Sequence, residues 1–486
     1  MSERTTEALR APAEAVAFPP GIHHAYLFST FNAFSYQVVL NSPMVLYAKA
    51  LGASATVLGL IAGMMPLLVI FQIPAASHIP RVGFKRFVYA GWGTRVMFIF
   101  GMALVPLTGS FLSAQRRLAL MLMLLFFFNL SRGISSCAWL PWITALVPPG
   151  LRGKYLARDQ AVQNLASFFT FLIAAACLAG DWTRPTPVTG APAAPSQVGD
   201  AEVSSREPRP WQFASLFAFS AVMGAVSLSF LKRIPEAEMP EEIKASRGRV
   251  PWLEMVNYPP FKKLLRALVG YSMAYGGMTA FTVAFLKAEV GMSETEIMLV
   301  TSAAFLGGLC SLWFLGSRLD RLGSKPVLTF CFAGWLTVMA GWMSLSGGLF
   351  PVKLAIVLIL QFLMGLLAAL VQMSNTRLAM AVIPVMGRTH FFAIYSVLGN
   401  VTLGLAPIGW GLLIDAVGAR SPVWLGLAWT RFTVFYAAAA LVFLVTLTLT
   451  RRLEEPHAAS MEELLREILI QSPQRFWLRF WPRGGA

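Results

Sequence analysis

The chain has 486 residues, of which 56% are hydrophobic and only 13% charged, and its mean hydropathy is +0.63. An average soluble protein carries about 25% charged residues, and a soluble fold lacks the interior to hide this much apolar surface. These figures exclude a disordered chain, a coiled coil and an ordinary soluble enzyme, and they leave the bilayer as the natural solvent. The net charge is +16, yet the basic residues sit in short breaks between apolar runs, as membrane anchors do, so no nucleic-acid partner is expected.

Residues 1–23 form a tail containing Glu3, Glu7 and Glu14, with no apolar core to be cleaved after, so no secretory signal is expected. A spanning helix needs about 20 mostly apolar residues. Twelve runs qualify: 24–47, 54–78, 86–108, 118–147, 155–180, 211–231, 261–288, 295–316, 325–346, 352–383, 388–416 and 429–450. The fold class predicted is therefore an all-α polytopic membrane protein. The fifth run opens on Arg158 and Asp159, and the runs 118–147 and 352–383 are long enough to tilt or to extend beyond the lipid.

Residues 181–210, rich in Pro, Ala and Ser, read as a flexible outer loop. Residues 453–472 pattern as an amphipathic helix with Met461, Leu464, Leu465, Ile468 and Leu469 on one face. Arg475–Trp481 interleaves cations with aromatics, which suits the inner leaflet. The domain organisation follows: a tail (1–23), a six-helix bundle (24–231), a charged linker (232–260), a second six-helix bundle (261–452) and an interfacial tail (453–486).

Lys and Arg set the orientation. With a cytoplasmic N-terminus, 26 fall on the inner side and 10 on the outer side, leaving Arg95, Arg132 and Arg377 within spans. This bias predicts both termini in the cytoplasm and a cell (inner) membrane location. Cys137, Cys177, Cys310 and Cys331 lie in apolar segments without metal-ligand spacing, and the five histidines form no cluster, so neither a metal nor a cofactor is expected.

The two halves repeat. Val147-Pro148-Pro149-Gly150-Leu151-Arg152-Gly153-Lys154-Tyr155 aligns with Ile383-Pro384-Val385-Met386-Gly387-Arg388-Thr389-His390-Phe391 at an offset of 236, which also relates Asn164 to Asn400. Arg81-Val82-Gly83-Phe84-Lys85 aligns with Arg321-Leu322-Gly323-Ser324-Lys325 at an offset of 240. Parallel repeats of six helices are a transporter architecture. The stretch Gly316-Ser317-Arg318-Leu319-Asp320-Arg321-Leu322-Gly323-Ser324-Lys325 matches in full the loop motif G-x-x-x-D-R-x-G-x-K/R of the major facilitator superfamily, and Pro149-x-x-Arg152-Gly153 resembles its second loop pattern. The first-half copy departs from the motif, with Ala76 at the first glycine and Pro80 at the acidic position. The resemblance implies that Gly316, Asp320, Arg321, Gly323 and Lys325, with Arg81, Gly83, Lys85, Arg152, Gly153 and Arg388, belong to cytoplasmic gate loops. It makes Asp320 with Arg388 or Arg377 the candidate latch, against an ordinary exposed ion pair. It also implies that spans 1, 4, 7 and 10 line a central cavity.

Charges at membrane depth are expensive. Arg132 lies near the middle of span 4, and Asn129, Ser136 and Trp139 share its face at helical spacing. Arg132 is thus the first candidate for a substrate contact, with bonding to carbonyls of a neighbouring helix as the structural alternative. Arg95 and Arg377 lie nearer an end, where snorkelling accounts for them. Further cavity candidates are Asn32 and Tyr36 on span 1, Tyr271, Tyr275 and Thr282 on span 7, and Gln361, Gln372 and Asn375 on span 10. Gln37 and Asn41 do not share the Asn32–Tyr36 face, and helix–helix hydrogen bonding explains such polar residues as well. No carboxylate or histidine falls at mid-membrane, with Asp159 and Asp415 near span ends.

The expectation is a secondary transporter of a small, anionic or carboxylated solute that works by alternating access as a monomer in the bilayer. Proton symport through a deep acid is not expected. No phosphate-binding Gly-x-x-x-x-Gly-Lys-Ser/Thr loop occurs, and no nucleophile–base–acid set points to an enzyme. A carrier fold kept as a non-transporting assembly scaffold is the alternative.

Overall fold

The computed structural model describes residues 18–76, 78–148, 151–179, 210–237, 252–315, 323–383, 388–419, 421–424 and 426–453. The described chain is almost entirely helical. The first half holds α1 (His23–Leu40), α2 (Ser42–Ala50), α3 (Ala55–Leu68), α4 (Gln72–Ala76), α5 (Ile79–Val82), α6 (Phe84–Leu104), α7 (Ala114–Ser136), α8 (Trp139–Leu146), α9 (Arg152–Leu178) and α10 (Pro210–Leu231). The second holds α11 (Trp252–Asn257), α12 (Pro259–Tyr275), α13 (Met278–Ala288), α14 (Glu294–Leu315), α15 (Ser324–Ser346), α16 (Leu354–Val382), α17 (Arg388–Val417) and α18 (Arg431–Arg451). Before α18 a two-residue hairpin pairs β1 (Val423–Trp424) with β2 (Leu427–Ala428), turning at Gly426 with φ 73°. The helices form twelve spans in two halves. Eight of them are long and apolar enough to cross a bilayer, and Ala55–Phe71 is a shorter apolar helix.

Burial follows the physics of a lipid-facing protein. Met97 and Leu441, 73% and 62% exposed, point outward, while polar residues such as Ser35, Thr170, Ser220 and Thr446 are fully buried between helices. Small residues permit the close helix approach that packing in lipid requires.

Three apolar runs that the sequence presents as continuous are broken. Span 1 divides at Asn41 between α1 and α2, and span 7 divides at Gly276-Gly277 between α12 and α13. Gly277 takes φ +77°, and a Cβ there would press on the ring of Phe281 and on Pro407 Cβ at 3.0 Å. The breaks occupy corresponding places in the two halves, where discontinuous helices mark the binding region of transporter folds. The long run 118–147 is not one tilted helix: it ends at Ser136 and restarts as α8. The run 352–383 is a single helix, α16.

The repeat extends to backbone conformation. Gly83 precedes α6 with φ 86° and ψ 152°, and Gly323 precedes α15 with φ 82° and ψ 163°. A side chain would strain either residue, so glycine at this loop position has a local physical cause.

The halves meet along two seams. In one, span 2 packs on span 11 so closely that Cβ atoms on Gly59 and Gly63 would overlap the carbonyl oxygens of Pro407 and Gly404. In the other, α9 packs on α14, with Phe171 and Phe305 stacked at 5.3 Å. Hydrogen bonds that cross the halves lie towards the face opposite the described chain ends. There Asp415 accepts from Ala55 N (3.1 Å), Thr56 N (2.8 Å) and Thr56 Oγ1 (2.6 Å). Ser42 and Thr301 share a bond of 2.7 Å, and Thr295 Oγ1 donates to Ala175 O at 3.5 Å. The structure is thus closed at that face.

Candidate functional site: a cationic cluster and an aromatic pocket

The first-half wall is built from α1, α6, α7 and α9. Arg95 on α6 does not snorkel: it is 1% exposed. Its Nη2 donates to Asn32 Oδ1, which also accepts from Trp92 Nε1 at 3.3 Å. The guanidinium lies 5.0 Å from the Trp92 ring and 5.6 Å from the Phe128 ring, both favourable faces for a cation. These contacts leave Nε and Nη1 buried without a hydrogen-bond partner. An Arg three residues into an aromatic cluster cannot reach a surface past Trp92 and Phe128, which explains the departure from the snorkelling expectation.

Arg132 on α7 lies over a different ring, 6.0 Å from the centre of Tyr36. Its guanidinium bonds no described residue. Tyr36 and Asn32, one turn apart on α1, are therefore the hinge around which two cations gather. The rest of the face predicted for span 4 divides. Asn129 turns back to bond Leu125 O at 3.0 Å, and Ser136 accepts from Gln72 Nε2 at 2.6 Å. Trp139, beyond the break at Cys137 and Ala138, packs on Phe28 at 4.9 Å and beside Trp92 at 6.4 Å. The helical spacing that joined Trp139 to Arg132 assumes a continuous helix, and the break removes it, while Asn129 and Ser136 stay on α7 with Arg132.

Asp159 is the acid nearest to this network. Although close to the start of span 5, it is turned inward and 8% exposed. Gln163 Nε2 donates to its Oδ2 at 2.7 Å, and Tyr36 OH donates to Gln163 Oε1 at 3.3 Å. Asp159 stands near a helix end, as expected, but its carboxylate is buried, two hydrogen bonds away from the ring that Arg132 faces. Gln37 and Asn41 form a separate file, with Gln37 Nε2 donating to Ser167 Oγ at 2.6 Å and Asn41 bonded to Gln37. They tie α1 to α9, as helix–helix bonding would have it.

The second-half wall contains a cavity of about 270 Å³ between α12, α16 and α17, lined by Tyr271, Tyr275, Gln372, Asn375, Tyr395 and Asn400 among others. Tyr271 and Tyr275 stack at 5.4 Å with 13° between their planes. Two residues with the same spacing lie elsewhere. Thr282, beyond the Gly276-Gly277 break, accepts from Tyr436 OH at 3.3 Å and joins α13 to α18. Gln361 is 3% exposed and sits in the closed part of span 10 with its Oε1 unpartnered. Among the described residues, no three His, Cys, Asp or Glu side chains gather as metal ligands.

Of the gate-loop residues, Gly316, Asp320 and Arg321 lie outside the described residues, so the candidate latch of Asp320 with Arg388 or Arg377 does too. Arg152 and Gly153 open α9, and Arg388 opens α17. Arg81 lies in the last turn of the short α5, and Lys85 and Lys325 stand in the first turns of α6 and α15. The outer loop 181–210 falls almost wholly outside the described residues, as does the tail from 454 onward.

Twelve spans in two repeated halves, closed at one face and enclosing polar walls, define a polytopic carrier fold. The sequence profile of the Major Facilitator Superfamily matches residues 25–287 and again 267–482, and the chain belongs to that superfamily. Solved structures agree on the fold. A D-xylose-proton symporter aligns with a TM-score of 0.65 at 15% identity over 89% of this chain and 98% of its own. The xylose transporter XylE from E. coli, in an inward open conformation, aligns with a TM-score of 0.63 at 14% identity over 91% and 98%. A mutant of the nucleoside transporter NupG aligns with a TM-score of 0.64 at 10% identity over 90% and 100%. The sequence matches no curated protein significantly.

Proposed function

We propose that this chain is a secondary carrier that moves a small organic anion across the cell membrane by alternating access. The observation that carries the substrate charge is the pair Arg95 and Arg132. Two guanidiniums converge on Tyr36 and Asn32, and neither has a carboxylate partner among the described residues. A buried ion without a counter-charge is costly, and the cost is offset when the solute supplies the negative charge. Arg95 retains two unused N–H-bearing nitrogens, Nε and Nη1, for that purpose.

With both chain ends in the cytoplasm, as the Lys and Arg distribution favours, the face that Asp415 closes is the outer one. Rocking of the halves about the Gly59–Pro407 and Phe171–Phe305 seams would open it. Exchange or facilitated passage suits the site best, because arginine holds its proton and cannot serve as the coupling group. Asp159 is the one buried acid linked to the cation cluster, so it is the group on which any proton dependence would rest.

The test is counterflow of organic anions in vesicles holding purified protein. Wild type exchanges acids without a pH gradient. Arg132→Ala and Arg132→Lys insert normally and lose uptake, since a point-charge ammonium does not replace a planar fork. Wild-type-like behaviour of both variants in every solute assay would favour a membrane scaffold instead.

A further inference from the structure

We infer that the pocket of the second half binds an uncharged ring carrying both hydrogen-bond donors and acceptors, so that the solute is a ring acid whose anionic end meets Arg95 and Arg132. This rests on the anionic reading above and adds to it the chemistry of the solute's other end.

The pocket's size comes first. A cavity of roughly 150 Å³ accepts a benzene ring, so about 270 Å³ holds one substituted ring and little more. A larger solute must extend out of it. Its chemistry comes second. None of the residues lining it is Asp, Glu, Lys, Arg or His, so it offers no charge to compete with the first-half cations. One wall is aromatic and rigid. Tyr275 stacks on Tyr271 and meets Trp335 edge-on at 5.8 Å, and Trp335 is itself stacked on Phe443 at 4.9 Å. A platform braced in this way presents a flat face at small cost in side-chain freedom.

The lining also supplies polarity. The amides of Gln372 and Asn375 and the phenols of Tyr271, Tyr275 and Tyr395 make no hydrogen bond with any described residue. Asn375 is only 6% exposed and still has an unused donor and acceptor. Both amides line the cavity, and a primary amide is satisfied by a group that both gives and takes a hydrogen bond. An alkyl chain would leave these groups unpaired, and a second charge would find no partner. A ring edged with hydroxyl or amide functions meets the flat face and both amides together.

Binding by purified full-length protein to acetate, 4-hydroxybenzoate, glucuronate, phenol and glucose tests this. Acetate is an acid without a ring, the next two are ring acids of aromatic and sugar type, and the last two are rings without an acid. In wild type at least one ring acid binds about tenfold or more tighter than acetate, the equivalent of about 1.4 kcal/mol. Gln372→Ala and Asn375→Leu each reduce that preference several-fold and leave acetate unchanged. Tyr275→Phe keeps the stacking preference while losing the hydroxyl's share, which separates a ring contact from a folding defect. Ring acids that bind no tighter than acetate, or a preference that survives both amide variants, would overturn the pocket's role. Phenol or glucose binding as tightly as its acid would instead overturn the anionic reading and leave the pocket standing.

Discussion

Asp415 on α17 reaches across the halves to cap the first turn of span 2. Its carboxylate accepts from two backbone N–H groups and one hydroxyl of Ala55 and Thr56. The first N–H groups of a helix have no internal partner, and an anion there also meets the positive end of the helix dipole. Replacing a capping Asp by Ala costs about 0.5–2 kcal/mol. The charged bonds would be worth more if buried, but the site is exposed and water screens it. Asp415→Ala should therefore weaken closure at this face by about 1–2 kcal/mol, a factor of roughly 5–30 in the ratio of conformations. The assay is a thiol placed by Thr301→Cys at the buried Ser42 contact, in a background lacking the four native cysteines. Reaction with a membrane-impermeant maleimide supplied at the face that Asp415 closes should accelerate by that factor when Asp415→Ala is added. Asp415→Asn, which keeps an acceptor and loses the charge, should fall between. An unchanged rate in correctly inserted protein would refute the idea that Asp415 holds the face shut.

Further outcomes follow from the same geometry. Gly59→Ala places a methyl against the Pro407 carbonyl and should lower the melting temperature by the equivalent of about 1–3 kcal/mol. Gly93→Ala, with open space at its Cβ, should be neutral or stabilising by about 0.5–1 kcal/mol; equal effects of the two would contradict the tight seam. Arg95→Met removes a buried cation with two unpartnered nitrogens, so it should abolish anion binding while leaving the apoprotein as stable as wild type or more stable by about 1–4 kcal/mol. Severe destabilisation by calorimetry would make Arg95 structural. Asn32→Leu strands that same cation and should cost about 1.5–3 kcal/mol, a loss that Arg95→Met relieves in the double variant. Asp159→Asn should leave anion exchange intact in vesicles without a pH gradient; loss of exchange would make this buried acid part of the transport cycle.

The twelve-span architecture and its repeat were readable from the sequence because both depend on local features: apolar run length, loop glycines and the spacing of Lys and Arg. Gly83 and Gly323 are the clearest instance, with matching sequence positions and matching backbone angles. Features that depend on neighbours were not readable. Arg95 could be placed by depth, but only the positions of Asn32, Trp92 and Phe128 decide that it turns inward. Trp139 and Thr282 were assigned to cavity faces by counting through Cys137 and through Gly276-Gly277, where the helices break; the paired glycines were the available signal, and the break after Ser136 had none comparable. Asp159 and Asp415 both looked like acids at helix ends. One is folded under the cation cluster, and the other serves a helix some 360 residues away in sequence.

The central claim is that Arg95 and Arg132 await a negative charge from the solute. Its most direct measurement is thermal stabilisation of purified protein by a ring acid and by its uncharged analogue, in wild type and in Arg132→Ala. Saturation at 100 times Kd stabilises the native state by about 2.7 kcal/mol. The acid should raise the melting temperature of wild type well above that of Arg132→Ala, with the analogue shifting both proteins equally and by much less. Equal stabilisation by the uncharged analogue, or an undiminished shift in Arg132→Ala, would contradict the claim.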